Sequence, residues 1–135
     1  MEKALLDTNV LLAATLNPTV LPANIQIFLK NPSCTVFFSA TSIWEIAIKR
    51  SLGRVTFDFE PKDIHGLALE TGFIELPVFS VHCYAISHMD WYHRDPFDRM
   101  LVAQAQSIPA YLLTTDGILK KYSELVREIS LAFHG

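Results

Sequence analysis

Residues 95–116 read DPFDRMLVAQAQSIPAYLLTTD, and this stretch decides the fold class of the chain. Pro96–Ser107 has the pattern of a strong helix, and residues 111–113 form a short apolar run that is typical of a buried strand. Short apolar runs alternate with longer amphipathic segments along the rest of the chain. That alternation is typical of βα units, so we predict an α/β fold with a mainly parallel sheet of four or five strands flanked by helices.

The remaining elements follow from the same patterns. The other predicted strands are residues 4–6, 35–38 and 73–76, while residues 126–129 suit either a last strand or a helix. Further helices are predicted at residues 9–16, 22–30, 41–52, 61–70, 80–88 and 116–122. Val55, Phe57 and Phe59 alternate with polar residues, which favours an extended segment. Residues 89–94 are predicted to form a polar, aromatic loop.

Length and composition favour one folded domain, residues 1–135. Half of the residues are hydrophobic and 19% are charged, so the chain can bury a sizeable core. No apolar run approaches the roughly 18 residues that span a bilayer. Asp7 interrupts the beginning of the chain before the apolar segment of a signal peptide could form. We therefore expect a cytoplasmic protein without a membrane span.

The net charge of −3 excludes a strongly basic nucleic-acid-binding chain. If four acids face a metal ion, the rest of the chain sums to −3 + 4 = +1. Composition therefore neither supports nor excludes a nucleic-acid substrate. Cys34 and Cys83 lack CxxC spacing and are not expected to form a disulfide.

Four acids are predicted to converge at one edge of the sheet. Asp7 follows the first strand, and Asp116 follows the strand at 111–113. Glu45 lies one turn into the helix after the second strand, and Asp98 lies in the first turn of the Pro96–Ser107 helix. In a parallel sheet, helices leave from the carboxyl ends of the strands, and ligands bind there.

Each acid also has a purely structural explanation. These are an N-cap at Asp7, a capping box from Ser42 to Glu45, a helix start at Asp95-Pro96-Phe97-Asp98, and a turn at Asp116-Gly117. Such explanations do not account for the recurrence of acids on one edge. We expect the acids to form a shared site.

Glu45 is the most informative of the four. Its neighbours are nearly all apolar, which predicts a largely buried helix. A carboxylate in such surroundings needs a cation or strong donors. Lys49, four residues later, is the alternative partner to a metal ion.

The chemistry suited to four carboxylates is that of a hard divalent cation. Mg²⁺ and Mn²⁺ prefer oxygen ligands, and paired ions can activate a water and stabilise a leaving oxygen. The histidines show no zinc spacing, and the chain has no P-loop or GxSxG motif. His93, beside Arg94, is either a phosphate contact or a polar loop residue. Arg99 is either a solvated residue or a partner of Asp95.

Four segments resemble the PIN-domain nucleases, specifically the VapC-type ribonuclease toxins of type II toxin–antitoxin pairs. They are LLDTN at 5–9, SATSIWEIAIK at 39–49, HRDPFDRMLVAQA at 93–105 and LLTTD at 112–116. The resemblance implies a Rossmann-like sheet and an acidic Mg²⁺ or Mn²⁺ site, with one or two ions, that cuts RNA.

The resemblance also implies a set of site residues. Its metal-binding and catalytic acids are Asp7, Glu45, Asp98 and Asp116, and its supporting residues are Thr8, Asn9 and Thr114. Asp95 matches the acid that starts a helix. Many members carry His where Asn9 stands, and residues 124–135 extend beyond the usual final strand.

The leading hypothesis is therefore a metal-dependent endoribonuclease that is the toxin of such a pair. Its expected partners are an RNA substrate, a small antitoxin protein and a second copy of the chain. One alternative is a PIN-like RNA-processing nuclease outside a toxin–antitoxin pair. The others are a haloacid-dehalogenase-like phosphatase with Asp7 as nucleophile and a non-catalytic binding module. The phosphatases typically carry an acid two positions after that nucleophile, where this chain has Asn9.

Overall fold

A computed structural model describes residues 2–132 as a five-stranded parallel sheet covered by helices on both faces. Its strands are β1 (Lys3–Leu6), β2 (Thr35–Ser39), β3 (Ile74–Leu76), β4 (Tyr111–Thr114) and β5 (Val126–Glu128). The same residues form α1 (Thr8–Leu16), α2 (Ala23–Lys30), α3 (Ala40–Ser51), α4 (Pro61–Glu70), α5 (Ser80–Ile86) and α6 (Pro96–Ser107). Short 3₁₀ helices cover Pro18–Val20, Val55–Phe57 and Gly117–Lys121.

The strand order is β3-β2-β1-β4-β5, and every neighbouring pair is parallel. The predicted α/β class and parallel sheet are confirmed. Residues 126–129, left open between strand and helix, supply β5. Residues 133–135, the end of the uncertain segment 124–135, lie outside the described part.

The central strand β1 is buried on both faces. Ala4 and Leu6 belong to the core layer beneath α1–α4, whereas Leu5 packs into the layer beneath α6. Successive side chains of a strand point to opposite faces, so this short run anchors both layers. No helix within residues 2–132 is long and apolar enough to cross a membrane.

Two local predictions are wrong. Residues 55–57 form a 3₁₀ turn instead of an extended segment, because the Phe57 and Phe59 rings pack edge to face at 5.5 Å against the same core layer. The helix α3 is not buried all round, since Trp44 and Ile48 are exposed. Only one stripe of α3 faces the core, and Glu45 lies on that stripe.

Candidate active site

The carboxyl ends of the central strands β1 and β4 open onto one edge of the sheet. The direction of strand order reverses between these two strands, and ligands of open α/β sheets bind at such a crevice. Leu6 pairs with Leu113, and the Asp7 amide donates to the Leu113 carbonyl at 2.9 Å. Asp7 is therefore fixed directly at the crevice, and Asp116 follows β4 by two residues.

Asp7 caps a helix and also faces the crevice. Its Oδ1 accepts from the Val10 amide at 2.8 Å, which confirms the N-cap of α1. Its Oδ2 accepts from Thr114 Oγ1 at 2.7 Å and from the Thr115 amide at 3.1 Å. The capping bond uses only one oxygen, so it does not exclude a second role for this carboxylate.

Thr114 connects the acids at the ends of the two central strands. While its hydroxyl donates to Asp7 Oδ2, the same oxygen accepts from the Asp116 amide at 3.0 Å. Asp116 Oδ1 in turn accepts from the Ile118 amide at 3.0 Å and caps the 3₁₀ helix. One buried hydroxyl thereby fixes the relative positions of Asp7 and Asp116.

Glu45 is 6% exposed and has two side-chain partners on different elements. Thr8 Oγ1 donates to Glu45 Oε1 at 2.6 Å and lies 3.0 Å from Ser42 Oγ. Lys49 pairs with Glu45 Oε2, so the predicted alternative partner is present. The predicted capping box is wrong, because the N-cap of α3 is Ser39, which accepts from the Thr41 amide at 2.9 Å.

The two acids at the start of α6 have different roles. Asp95 Oδ1 accepts from the amides of Phe97 at 2.8 Å and Asp98 at 3.2 Å, so Asp95 is the N-cap. The Asp98 carboxylate points into the crevice, where His93 Nε2 lies 3.3 Å from its Oδ2. Asp98 is thus available to a ligand, whereas Asp95 serves first to start the helix.

His93 is part of the acidic cluster. Its Nδ1 accepts from the Asp95 amide at 3.1 Å, so the proton of the neutral ring lies on Nε2. That Nε2–H donates to Asp116 Oδ2 at 2.6 Å. His93, Asp98 and Asp116 offer atoms within 4.8 Å of one another, a spacing that suits a metal ion. The tautomer nevertheless makes His93 a donor to the carboxylates and not a metal ligand.

Arg99 holds the loop that carries His93. It is only 3% exposed, and no carboxylate within residues 2–132 forms an ion pair with it. The guanidinium donates to the carbonyls of Asp90 at 2.8 Å and His93 at 3.3 Å, and to Tyr122 Oη at 3.0 Å. It also lies 3.9 Å from the centroid of the Trp91 ring. Neither the solvated position nor the pairing with Asp95 is correct; carbonyls and a ring compensate this buried cation.

A buried polar pair fixes α6 against the helix that carries Glu45. Ser39 Oγ donates to Gln104 Oε1 at 2.5 Å, and Gln104 Nε2 donates to the Pro77 carbonyl at 3.1 Å. Because Ser39 is also the N-cap of α3, this contact connects α3 to α6. The helices that present Glu45 and Asp98 are therefore held in one arrangement.

The acids repel one another. Burial is the largest cause that raises the pKa of Asp7, although the bonds from Thr114, Val10 and Thr115 oppose it. Burial also raises the pKa of Asp98 to about 7. Three further acids add to that shift: Asp95, Asp7 and Glu45. The positive charge that His93 carries when it is protonated lowers the pKa of Asp98. The carboxylates of the site nevertheless outnumber its cations.

All four predicted acids line one cavity of about 330 Å³. Its full lining is Asp7, Thr8, Asn9, Glu45, Lys49, Asp95, Asp98, Thr115 and Asp116. Five carboxylates and one ammonium give a formal charge of −5 + 1 = −4 when all are ionised. Oxygen donors with excess negative charge suit Mg²⁺ or Mn²⁺, so the residues present fit a hard divalent cation.

The supporting residues occupy different positions in the site. Thr8 and Thr114 contact the acids directly, whereas Asn9 is exposed and donates to Thr115 Oγ1 at 3.3 Å. Thr115 was not among the predicted site residues, and neither Arg99 nor His93 had a definite predicted role in the site. In the sequence, the signal for a site role of His93 was its position two residues before the helix-start acid Asp95.

A protein-family model for the PIN domain matches residues 4–125. The chain belongs to the PIN domain family. PIN domains are nucleases that generally use divalent metal ions, which agrees with the acidic cavity. The matched range contains all four acids and extends from β1 through β4, ending just before β5.

One solved structure similar to this PIN domain is that of VapBC2 from Rickettsia felis bound to a DNA fragment from their promoter. The TM-score is 0.68 at 15% identity, and the match covers 95% of this chain and 99% of the other. At this identity the likeness shows the fold. A search of curated protein sequences found no match.

Proposed function

We propose that this PIN domain is a metal-dependent endoribonuclease that hydrolyses phosphodiester bonds of RNA. The observation that carries the proposal is the convergence of Asp7, Glu45, Asp98 and Asp116 on one cavity. The pKa values of Asp7 and Asp98 are raised by burial first and by neighbouring acids second, so the cavity needs positive charge to balance the ionised carboxylates. A divalent cation would supply that balance.

The proposed metal-binding residues are the four acids, and Asp98 has the fewest competing bonds. When bound, one or two Mg²⁺ or Mn²⁺ ions would polarise water and phosphate oxygens. Thr114 holds Asp7 in place, and Thr8 holds Glu45, so the two carboxylates keep their orientation. His93 orients Asp116 through its bond to Oδ2.

We also propose that the chain, as one domain of residues 1–135, is the toxin of a toxin–antitoxin pair in the cytoplasm. Support comes from the likeness to the Rickettsia felis structure, which is a VapBC2 complex with promoter DNA. By that analogy, a small antitoxin protein would bind the chain, and two copies would form a dimer. Exposed apolar side chains on α5 and just before it offer surface for such contacts: Val78, Phe79, Val81 and Tyr84.

The proposal is tested by RNA cleavage with Mg²⁺, with Mn²⁺ and with EDTA. We expect Asp7→Ala and Asp98→Asn to reduce cleavage to the EDTA level while the circular dichroism spectrum is retained. Asp63→Asn is a matched control, because Asp63 follows Pro61 at the start of α4 as Asp98 follows Pro96 at the start of α6. Cleavage by Asp98→Asn equal to that by Asp63→Asn would contradict the assignment.

Two alternatives make different predictions in the same assays. A non-catalytic module would neither cleave RNA nor bind Mn²⁺ in calorimetry. A nuclease that processes RNA outside a toxin–antitoxin pair would cleave RNA but would not arrest growth when expressed alone. A haloacid-dehalogenase-like phosphatase would carry a second acid where this chain has Asn9. That asparagine contacts Thr115.

A further inference from the structure

The loop 88–94, at the rim of the acidic cavity, presents an aromatic ring that the fold itself does not cover. Trp91 is 73% exposed, although it lies only two residues before His93. A single exposed apolar residue is ordinary on a protein surface, so the contacts of this ring decide whether it has a role. Two residues span at most about 7 Å, so the backbone of Trp91 lies close to that of His93, whose ring contacts Asp98 and Asp116.

Contacts with Arg99 fix the indole ring of Trp91. The Arg99 guanidinium lies 3.9 Å from the ring centroid on one face. Arg99 itself is buried and bound to the carbonyls of Asp90 and His93, on either side of Trp91. Tyr122 Oη also donates to the Asp90 carbonyl at 2.7 Å. One face of Trp91 is therefore fixed by a cation, and the high exposure leaves the opposite face open.

A second cation lies beside the open ring. Trp91 and Arg94 together line a cavity of about 330 Å³ that is separate from the acidic one. Arg94 is exposed, and no carboxylate within residues 2–132 forms an ion pair with it. A flat aromatic face next to an unpaired guanidinium suits a base and its phosphate in single-stranded nucleic acid.

We propose that Trp91 stacks on a base of single-stranded RNA, and that Arg94 binds the adjoining phosphate. The proposal rests on the function proposed above and names the surface that holds the nucleotide next to the cleaved bond. The Arg99 guanidinium on the covered face favours stacking, because it fixes the indole ring of Trp91 before RNA binds. An apolar protein partner fits less well, since Arg94 and the Arg99 cation flank the ring.

Tryptophan fluorescence gives a direct test, because the chain contains only Trp44 and Trp91. The background Trp44→Phe, Asp98→Asn leaves Trp91 as the single tryptophan and prevents cleavage during titration. We expect a single-stranded RNA decamer to quench Trp91, and an abasic decamer with the same phosphates to leave it unquenched. Quenching by both decamers alike would show that charge and not stacking holds the strand, and would overturn the proposal.

Cleavage kinetics separate this proposal from the nuclease assignment. In the otherwise unchanged chain, Trp91→Ala should raise KM for single-stranded RNA about ten- to a hundredfold, with kcat within about threefold. Trp91→Phe should recover most of the affinity. Ile27→Ala, which removes a similarly exposed apolar residue (71%) on α2, should leave KM unchanged.

Each combination of results supports or overturns a stated claim. Normal cleavage with an unchanged KM in Trp91→Ala would overturn the stacking proposal and leave the nuclease intact. Absence of both cleavage and quenching would overturn both. A Trp91 signal that changes with protein concentration and not with RNA would identify the ring as a contact between protein chains, which would also overturn the proposal.

Discussion

His93 Nε2 donates to Asp116 Oδ2 at 2.6 Å, and this bond connects the loop before α6 to the residue that caps the helix after β4. The bond depends on the Asp95 amide, which occupies Nδ1 and leaves the proton on Nε2. A histidine in this tautomer orients a carboxylate without competing for the cation. The loop and the sheet edge are thus coupled through a single imidazole.

His93→Ala should therefore weaken Mn²⁺ binding by about 10- to 100-fold, because Asp116 loses the donor that orients it. Isothermal titration calorimetry measures the affinity. His88→Ala, a change at an exposed histidine of the same loop region, is the matched control and should bind as the wild type does. Equal Mn²⁺ affinity in the two variants would contradict the orienting role.

Metal binding should depend on pH through Asp98. Its pKa is raised to about 7, and a metal ion binds the deprotonated carboxylate. Mn²⁺ affinity should rise between about pH 6 and pH 8 and level off above, with protons released on binding. Calorimetry in buffers of different ionisation enthalpy measures that release. Asp98→Asn should bind weakly at every pH, and a slope that persists in this variant would assign the proton to another group.

The stability of the metal-free protein should fall as the pH rises, whereas the Mn²⁺ affinity should rise. The pKa of Asp98 in the folded protein lies above the ordinary aspartate value of 3.8, so the folded state binds the extra proton. Its contribution to stability is fully present below about pH 4 and is lost as the pH rises through about 7. The melting temperature in EDTA should fall from about pH 5.5 to pH 8, and Asp98→Asn should reduce that fall. An unchanged slope in the variant would contradict the assignment.

Lys49→Met distinguishes a metal ligand from a simple ion pair at Glu45. The ammonium occupies Glu45 Oε2, so its removal should raise Mn²⁺ affinity about two- to tenfold. Lys62→Met, at an exposed lysine of α4, should leave the affinity unchanged. A lower affinity in Lys49→Met would mean that the lysine holds Glu45 in place for the cation.

Arg99→Ala should lower the free energy of unfolding by about 2–4 kcal/mol, because the carbonyls of Asp90 and His93 lose their donor. Urea denaturation measures the change. Arg99→Lys should recover only part of the loss, since one ammonium cannot reproduce the planar fork. Arg94→Ala, at an exposed position, should change stability by no more than about 0.5 kcal/mol. A similar effect of both alanine variants would show that Arg99 does not organise the loop.

Much of the site could be predicted because it follows the regular part of the fold. Asp7 comes directly after one apolar run and Asp116 shortly after another, and neighbouring parallel strands must end at the same edge. Glu45 could be predicted from the apolar residues around it, although that argument overstated the burial of α3. The acids beside regular strands and helices were thus placed at the observed edge, although the alternating pattern at residues 55–59 was misleading.

The roles of His93 and Arg99 could not be predicted, because they depend on the path of an irregular loop. No periodicity governs residues 87–95, so the sequence contains no signal that backbone carbonyls there turn toward Arg99. The sequence pattern also suggested a local partner, Asp95, whose carboxylate instead caps α6. The path of the loop, and not the local spacing of Arg99 and Asp95, therefore determines the partners of both residues.

The bonds to Asp7 Oδ2 have a consequence for protein synthesis. Their donors, Thr114 and Thr115, are 107 and 108 positions later in the chain. While a ribosome makes the protein, β1 lacks its neighbour β4 until the 107 positions between Asp7 and Thr114 have been translated. A nascent chain therefore cannot assemble the acidic cavity until β4 has been made, because the site depends on contacts that are distant in sequence.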